Sequence, residues 1–225
     1  MIWGASVAGK AGDADFTTDN APGITVIAPN NIPNWDAPAL GDSPADNVIE
    51  KVLQSIRYGG SVQVELANIV PGNTYKLQLL FYEQCCGNRG FNVYVDGQLL
   101  AADFSPPEIQ GGVNLTSAGA VISAEITTQR HSMVILATIQ GRTREDLTDP
   151  NAILDGVTLE VIKGDLPPSN PPLKFSKDQG KVVLTYEGNL QSADAVGGPY
   201  TDVTGATSPA TIPTSGAQKY FRARR

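Results

Sequence analysis

The 225-residue chain is long enough for one sizeable core and a smaller second domain, and its 23 glycines and 16 prolines describe many short strands joined by many turns. A formal net charge of −7 leaves no concentrated Lys/Arg surface, which excludes nucleic acid and anionic lipid as partners. No run approaches the roughly 20 apolar residues of a membrane span, and the N-terminus has neither the basic nor the apolar stretch of an export signal.

From Ala45 to Ile56 the apolar residues Val48, Ile49, Val52, Leu53 and Ile56 share one helical face, with Asp42 or Ser43 upstream as the cap. This is the one helix the sequence predicts. After Gly59-Gly60 the period changes to two. Ser61 to Ile69 points Val62, Val64 and Leu66 one way and Gln63 and Glu65 the other, as a half-buried strand does. Thr74 to Tyr82 repeats the pattern with Tyr75, Leu77, Leu79 and Phe81. The Pro71-Gly72-Asn73 turn between these two strands predicts that they pair as antiparallel neighbours. Phe91 to Val95 leads into Asp96-Gly97, the dipeptide favoured in a type I′ hairpin turn, with Leu99 to Phe104 as the returning strand. Ala120 to Thr127, Met133 to Ile139 and Ala152 to Ile162 add three more strands, and the run of antiparallel strands predicts an all-β fold: a jelly-roll β-sandwich of two sheets.

The segment "KGDLPPSNPP" has four prolines in ten residues and cannot sustain a hydrogen-bond ladder, so it reads as a linker. The predicted organisation is a sandwich over 1–163, a proline-rich linker over 164–172 and a small β module over 173–225. In that module Lys174–Ser176, Lys181–Tyr186, Leu190–Ser192, Tyr200–Val203 and Lys219–Ala223 read as short strands. Charge divides at the same place. Residues 1–163 carry 9 Lys/Arg against 18 Asp/Glu, and residues 173–225 carry 7 against 4.

Four blocks occur in a telling order: "VLQSIRYGGSVQVEL", "GNTYKLQLLFYE", "RGFNVYVDGQLLAADF" and "DPNAILDGVTLEV". Together they resemble the malectin-like carbohydrate-binding domains over residues ~45–163. The final module resembles short C-terminal β modules on secreted or surface proteins of Verrucomicrobia and Planctomycetes. The resemblance implies a non-catalytic carbohydrate-binding module, extracellular or at the cell surface of a bacterium, acting without a cofactor as a trimmed part of a longer secreted protein. Its implied partner is a glycan or polysaccharide. In the family the sugar lies in loops at one end of the sandwich, held by aromatic rings and a carboxylate. By position Tyr58 falls on the aromatic after the arginine and Asp149 on the carboxylate. The family's adjacent aromatic pair falls on Cys85 and Cys86.

Adjacent cysteines admit three readings: a vicinal disulfide that offers a hard, mildly apolar plate to a ligand ring, free or buried thiols, or intermolecular bridges. Gln84, Asn88 and Arg89 share their loop. Arg89 suits a sugar hydroxyl or uronic carboxylate, or an internal pairing with Glu83 or Asp103. Asp13, Asp15, Asp19 and Asn20 offer oxygen ligands for a structural Ca²⁺, although the downstream bidentate Glu of a dedicated loop is missing. The sole histidine, His131, has no nucleophile motif beside it, so no enzyme is expected. The alternative to sugar binding is a structural or adhesive β module that contacts other domains of a larger surface protein or its own copies through a strand edge.

Overall fold

The computed structural model describes residues 2–4, 9–11, 14–18, 21–36, 38–113, 118–164, 173–178, 181–196, 198–212 and 218–224. In chain order the first part holds β1 (Ile2–Gly4), β2 (Gly9–Ala11), β3 (Ala14–Phe16), β4 (Ile24–Ile27), β5 (Asn30–Ile32), α1 (Pro44–Leu53), β6 (Ile56–Gly59), β7 (Ser61–Ala67) and β8 (Thr74–Phe81). It continues with β9 (Phe91–Val95), β10 (Gln98–Phe104), α2 (Pro106–Ile109), β11 (Ala120–Thr127), β12 (Ser132–Thr138), β13 (Ala152–Leu154) and β14 (Gly156–Lys163).

Alternation along each long strand decides which side becomes core. Val62, Val64 and Leu66 of β7 and Met133, Ile135 and Ala137 of β12 are buried from one sheet; Tyr75, Leu77, Leu79 and Phe81 of β8 and Val157 and Leu159 of β14 are buried from the other. The first sheet runs β10-β9-β12-β7-β4 and the second β1-β14-β8-β11, with every pairing antiparallel. The two form the β-sandwich expected of the all-β pattern. A three-stranded ribbon, β13-β6-β5, and the β2-β3 pair complete this part. The Asp96-Gly97 turn has φ 51° and 81°, as a type I′ hairpin requires, and closes β9 onto β10.

Three local expectations need correction. The helix stops at Leu53 rather than Ile56, because both the amide and the Oγ of Ser55 turn back to the Val52 carbonyl at 3.1 Å, and Ile56 opens β6 opposite Ile32. β7 and β8 are not hairpin partners. Each buries its apolar face in the same core from opposite sheets, so residues 68–73, with Asn68 at φ 60°, arch across the sandwich. The predicted strand 152–162 is broken at Asp155, so that β13 pairs with β6 while β14 pairs with β8 and β1. A one-turn helix, α2, is added to the single one expected; Pro106 and Pro107 fit its first turn.

The chain divides into two compact units, Met1–Asp165 and Leu166–Arg225. The second contains β15 (Lys174–Asp178), β16 (Lys181–Thr185), β17 (Asn189–Ala193), β18 (Thr201–Asp202), β19 (Ala210–Ile212) and β20 (Tyr220–Arg224), in sheets β15-β16-β19 and β18-β17-β20. Leu184, Tyr186, Leu190, Ala210 and Ala223 form its core. Residues 165–172, where most of the linker is expected, lie outside the described residues.

Candidate functional site

Three connections meet at one end of the sandwich: residues 82–90 between β8 and β9, 105–113 after β10, and 139–151 between β12 and β13. Register puts them together. Thr138 at the end of β12 lies opposite Asn92 of β9, Phe81 at the end of β8 opposite Ala120 of β11, and Phe91 opposite Phe104. The rings of Phe81, Phe91 and Phe104 sit 4.9–5.9 Å apart and floor this end with apolar surface.

Glu83 organises the first loop. It is 2 % exposed, and its Oε1 accepts the amides of Cys85 at 2.8 Å and Cys86 at 3.0 Å. Its own amide donates to Gln110 Oε1 at 3.0 Å and its carbonyl accepts from Gln110 Nε2, so the side chain that follows α2 pairs with the loop's main chain. Glu83 Oε2 lies 2.7 Å from Arg89 Nε. That contact is an ion pair: the N–H is not aimed along the hydrogen-bond direction, and Arg89 Nη1 also lacks a hydrogen-bond partner among the described residues. Arg89 Nη2 stands 3.5 Å from Asp149 Oδ2 and 3.7 Å from Cys85 Sγ. Asp149 Oδ1 accepts the amide of Asn151 at 2.8 Å and its Nδ2 at 3.3 Å. Arg142 Nη1 donates to the carbonyls of Gly90 (2.8 Å) and Asp149 (2.7 Å), which ties the first and third loops.

Asp155 lies beneath this arrangement, fully buried, with Oδ2 accepting the Tyr82 amide at 2.9 Å and Oδ1 without a partner among the described residues. Burial pushes its carboxyl well above the usual carboxylate range, against the Tyr82 hydrogen bond; the Glu83 charge pushes the same way as burial and Arg89 opposes it. On the rim, the guanidinium of Arg144 is held by Glu108 and Asp146, and its hydrogen bonds keep both carboxyls below their ordinary value. Thr143 does the same for Asp103 through its hydroxyl and amide.

Cys85 and Cys86 are joined to each other as a vicinal disulfide, with Cα atoms 3.7 Å apart, the separation of an ordinary trans peptide. Cys85 is exposed and Cys86 half-buried. Asn88 is exposed, with Nδ2 donating to Thr148 Oγ1 and its carbonyl accepting the Asp149 amide at 3.4 Å. Gln84 is half-buried. Its Nε2 donates to Asp36 Oδ2, and its buried Oε1 has no partner among the described residues. The structure therefore gathers Gln84, Cys85, Cys86, Asn88, Arg89 and Asp149 into one cluster. Of the two readings of Arg89, its contacts are those of the internal pairing, made to Glu83 and Asp149 and not Asp103. Tyr58 stands on β6 opposite Ile153, half-buried against the sandwich core, and the hydrogen bonds and ion pairs of the cluster do not include it.

Donor atoms of Glu83, Cys85 and Cys86 lie within 4.8 Å of one another. With both sulfurs in a disulfide and the carboxylate already occupied by Arg89 and two amides, this set does not fit a metal ion. Asp13, Asp19 and Asn20 lie outside the described residues, and of Asp15 only the backbone, in β3, is described. His131 is exposed in the turn before β12, its carbonyl accepting the Ile69 amide. Gln110, Arg142 and Asp155 were not singled out from the sequence. Asp155 alone left a trace there, as a charge inside an otherwise apolar run.

No protein-family model and no curated protein matches the chain. Among solved structures it is similar to the ANX2 ectodomain from Arabidopsis thaliana, at 16 % identity and a TM-score of 0.52 over 82 % of this chain and 47 % of that one. It is similar to the plant receptor-like kinase FER at 13 % identity and a TM-score of 0.50, over 86 % and 48 %. A calcium-binding mutant of Bacteroides uniformis β-glucuronidase 2 matches at 16 % identity and a TM-score of 0.53, over 72 % of this chain and 18 % of that one. The chain thus spans about half of the plant ectodomains and less than a fifth of the glucuronidase. The plant structures are malectin-like extracellular domains, so the likeness bears out the malectin-like resemblance at the level of fold. Among the described residues no helix is long and apolar enough to cross a membrane.

Proposed function

We propose that the chain is a non-catalytic, extracellular carbohydrate-binding module that anchors or targets a larger secreted or cell-surface bacterial protein. The observation that carries this reading is the Cys85–Cys86 plate, exposed at Cys85 and half-buried at Cys86, held on a buried Glu83–Arg89 scaffold at the loop end of a malectin-like sandwich. A rigid apolar plate takes the C–H face of a pyranose as an aromatic ring does, and the exposed Asn88 amide beside it carries an acceptor oxygen of the kind sugar hydroxyls need. Glu83, Arg89 and Asp149 hold the plate from beneath. Because the scaffold is already built, little conformational entropy is lost on binding. No cofactor takes part.

The test is a screen of glycan arrays and insoluble polysaccharides with and without a reductant. Specific binding that weakens about tenfold on reduction, and by a similar factor in Asn88→Ala, is expected for one central contact. Absence of binding in both redox states would sink the reading and leave the structural, protein-contacting module in its place.

A further inference from the structure

The outer face of the five-stranded sheet, turned away from the core, carries one row of side chains in register across every strand. Leu99 of β10 lies opposite Tyr94 of β9, Tyr94 opposite Leu136 of β12, Leu136 opposite Gln63 of β7, and Gln63 opposite Ile27 of β4. A solvent-facing sheet surface ordinarily places polar residues at such positions. Here three of the five are aliphatic and one is aromatic. Leu99 and Ile27, at the two ends of the row, are 54 % and 60 % exposed. With strands spaced by roughly 4.8 Å, the row is about 19 Å long, an extended track rather than a single-ring socket.

Its middle is a groove of ≈ 430 Å³, lined by Tyr94, Val134 and Leu136 with Gln63 and Gln140 at its sides. That volume lies within the common range of ligand pockets. No charged side chain lines it. The Tyr94 hydroxyl and the side-chain amides of Gln63 and Gln140 form no hydrogen bond among the described residues, so their donors and acceptors are free for a ligand.

We infer that this face is a second binding surface, distinct from the loop end, for an extended neutral polysaccharide that lies across the strands along Leu99, Tyr94, Leu136, Gln63 and Ile27. The ligand class rests on the proposed function; the site rests on other residues. An apolar track flanked by free amides complements a chain whose ring faces are C–H and whose edges are hydroxyl. A polyanion would find no cation in the groove, and a β-strand partner would add to an edge of the sheet rather than to its face.

Affinity electrophoresis through gels that contain neutral polysaccharides (mixed-linkage β-glucan, xyloglucan, galactomannan), with polygalacturonate as the charged control, tests the inference. The expected result is retention by at least one neutral polymer and none by polygalacturonate. Retention weakens about tenfold in Tyr94→Ala and severalfold in Gln63→Ala, a half-exposed position whose change leaves the fold intact. Reductant, which acts at Cys85–Cys86, leaves it unaltered. Full retention in both variants overturns the inference. Loss of retention to reductant alone overturns it too and leaves the loop-end reading standing. So does concentration-dependent self-association that Tyr94→Ala abolishes, because the face is then a contact between copies of this chain.

Discussion

Arg89 and Glu83 are 3 % and 2 % exposed, so each neutralises a charge that has lost its water. Arg89→Ala leaves the Glu83 carboxylate buried without its counter-ion, and a loss of about 3–5 kcal/mol is expected in urea unfolding. A loss under about 1 kcal/mol would mean that the pair is solvated. Gly90 is fixed by space rather than by φ: a Cβ there would lie 2.4 Å from Leu147 Cδ1. Gly90→Ala therefore costs about 1–3 kcal/mol through the displaced leucine, and Gly90→Ala combined with Leu147→Ala recovers part of the overpacking. At Asp155 the folded-state pKa is raised by burial, so the native chain keeps a proton that the unfolded chain releases near pH ~4. The resulting stability is complete below the unfolded-state value and falls as pH rises through the folded-state one. Asp155→Asn removes this titration, and its stability relative to the native chain should rise from about pH 4 towards neutrality. A difference that stays constant with pH would show that Asp155 is ionised in the fold. The resemblance implies Asp149 as a ligand-binding carboxylate, whereas the contacts it makes are internal; its tie to Arg89 was not legible, since 60 residues separate them and only the paired loops bring them together.

At the scale of elements, α1 and the long strands were legible because each carries its own period. Ser43 accepts the Asp46 amide at 3.1 Å while Asp46 Oδ2 accepts the Ser43 amide at 3.1 Å, a reciprocal cap that the sequence signals through Ser43-Pro44 and the acid three positions on. Ser43→Ala should cost about 1 kcal/mol in a thermal melt, and Ser43→Asp much less. Strand partners were less legible than strands. Alternation tells which residues of β7 and β8 face the core and is silent on the sheet each belongs to; the hairpin reading failed there, whereas Asp96-Gly97, whose chemistry dictates the turn itself, closed β9 on β10 as expected. β1 to β5 have three or four residues each, too short to show a period, and none of the five is legible for that reason. The same limit applies to the outer row from Ile27 to Leu99. Each member is an unremarkable surface residue of its own strand, and only the register of five strands makes a line of them.

At the scale of the molecule, charge separates the two candidate surfaces from other modes of attraction. Residues 1–163 carry twice as many acids as bases, 18 against 9, yet the groove has no charged lining, and around the loop cluster Glu83 and Asp149 are paired with Arg89 and Glu108 and Asp146 with Arg144. Attraction of a neutral glycan to either surface is then short-ranged, made of ring contact and hydrogen bonds that salt does not screen. Retention of a neutral polysaccharide should stay constant between roughly 0.05 and 0.5 M salt, a range over which the Debye length falls from about 14 to 4 Å and surface charge is progressively hidden. Acidic polymers should be excluded at the low-salt end of that range by the negative field of the first unit. Salt-sensitive retention of polygalacturonate would point instead to residues 173–225, where 7 basic residues stand against 4 acidic ones. In that event neither the disulfide plate nor the sheet groove would account for binding, because counterion release needs clustered cations that both surfaces lack.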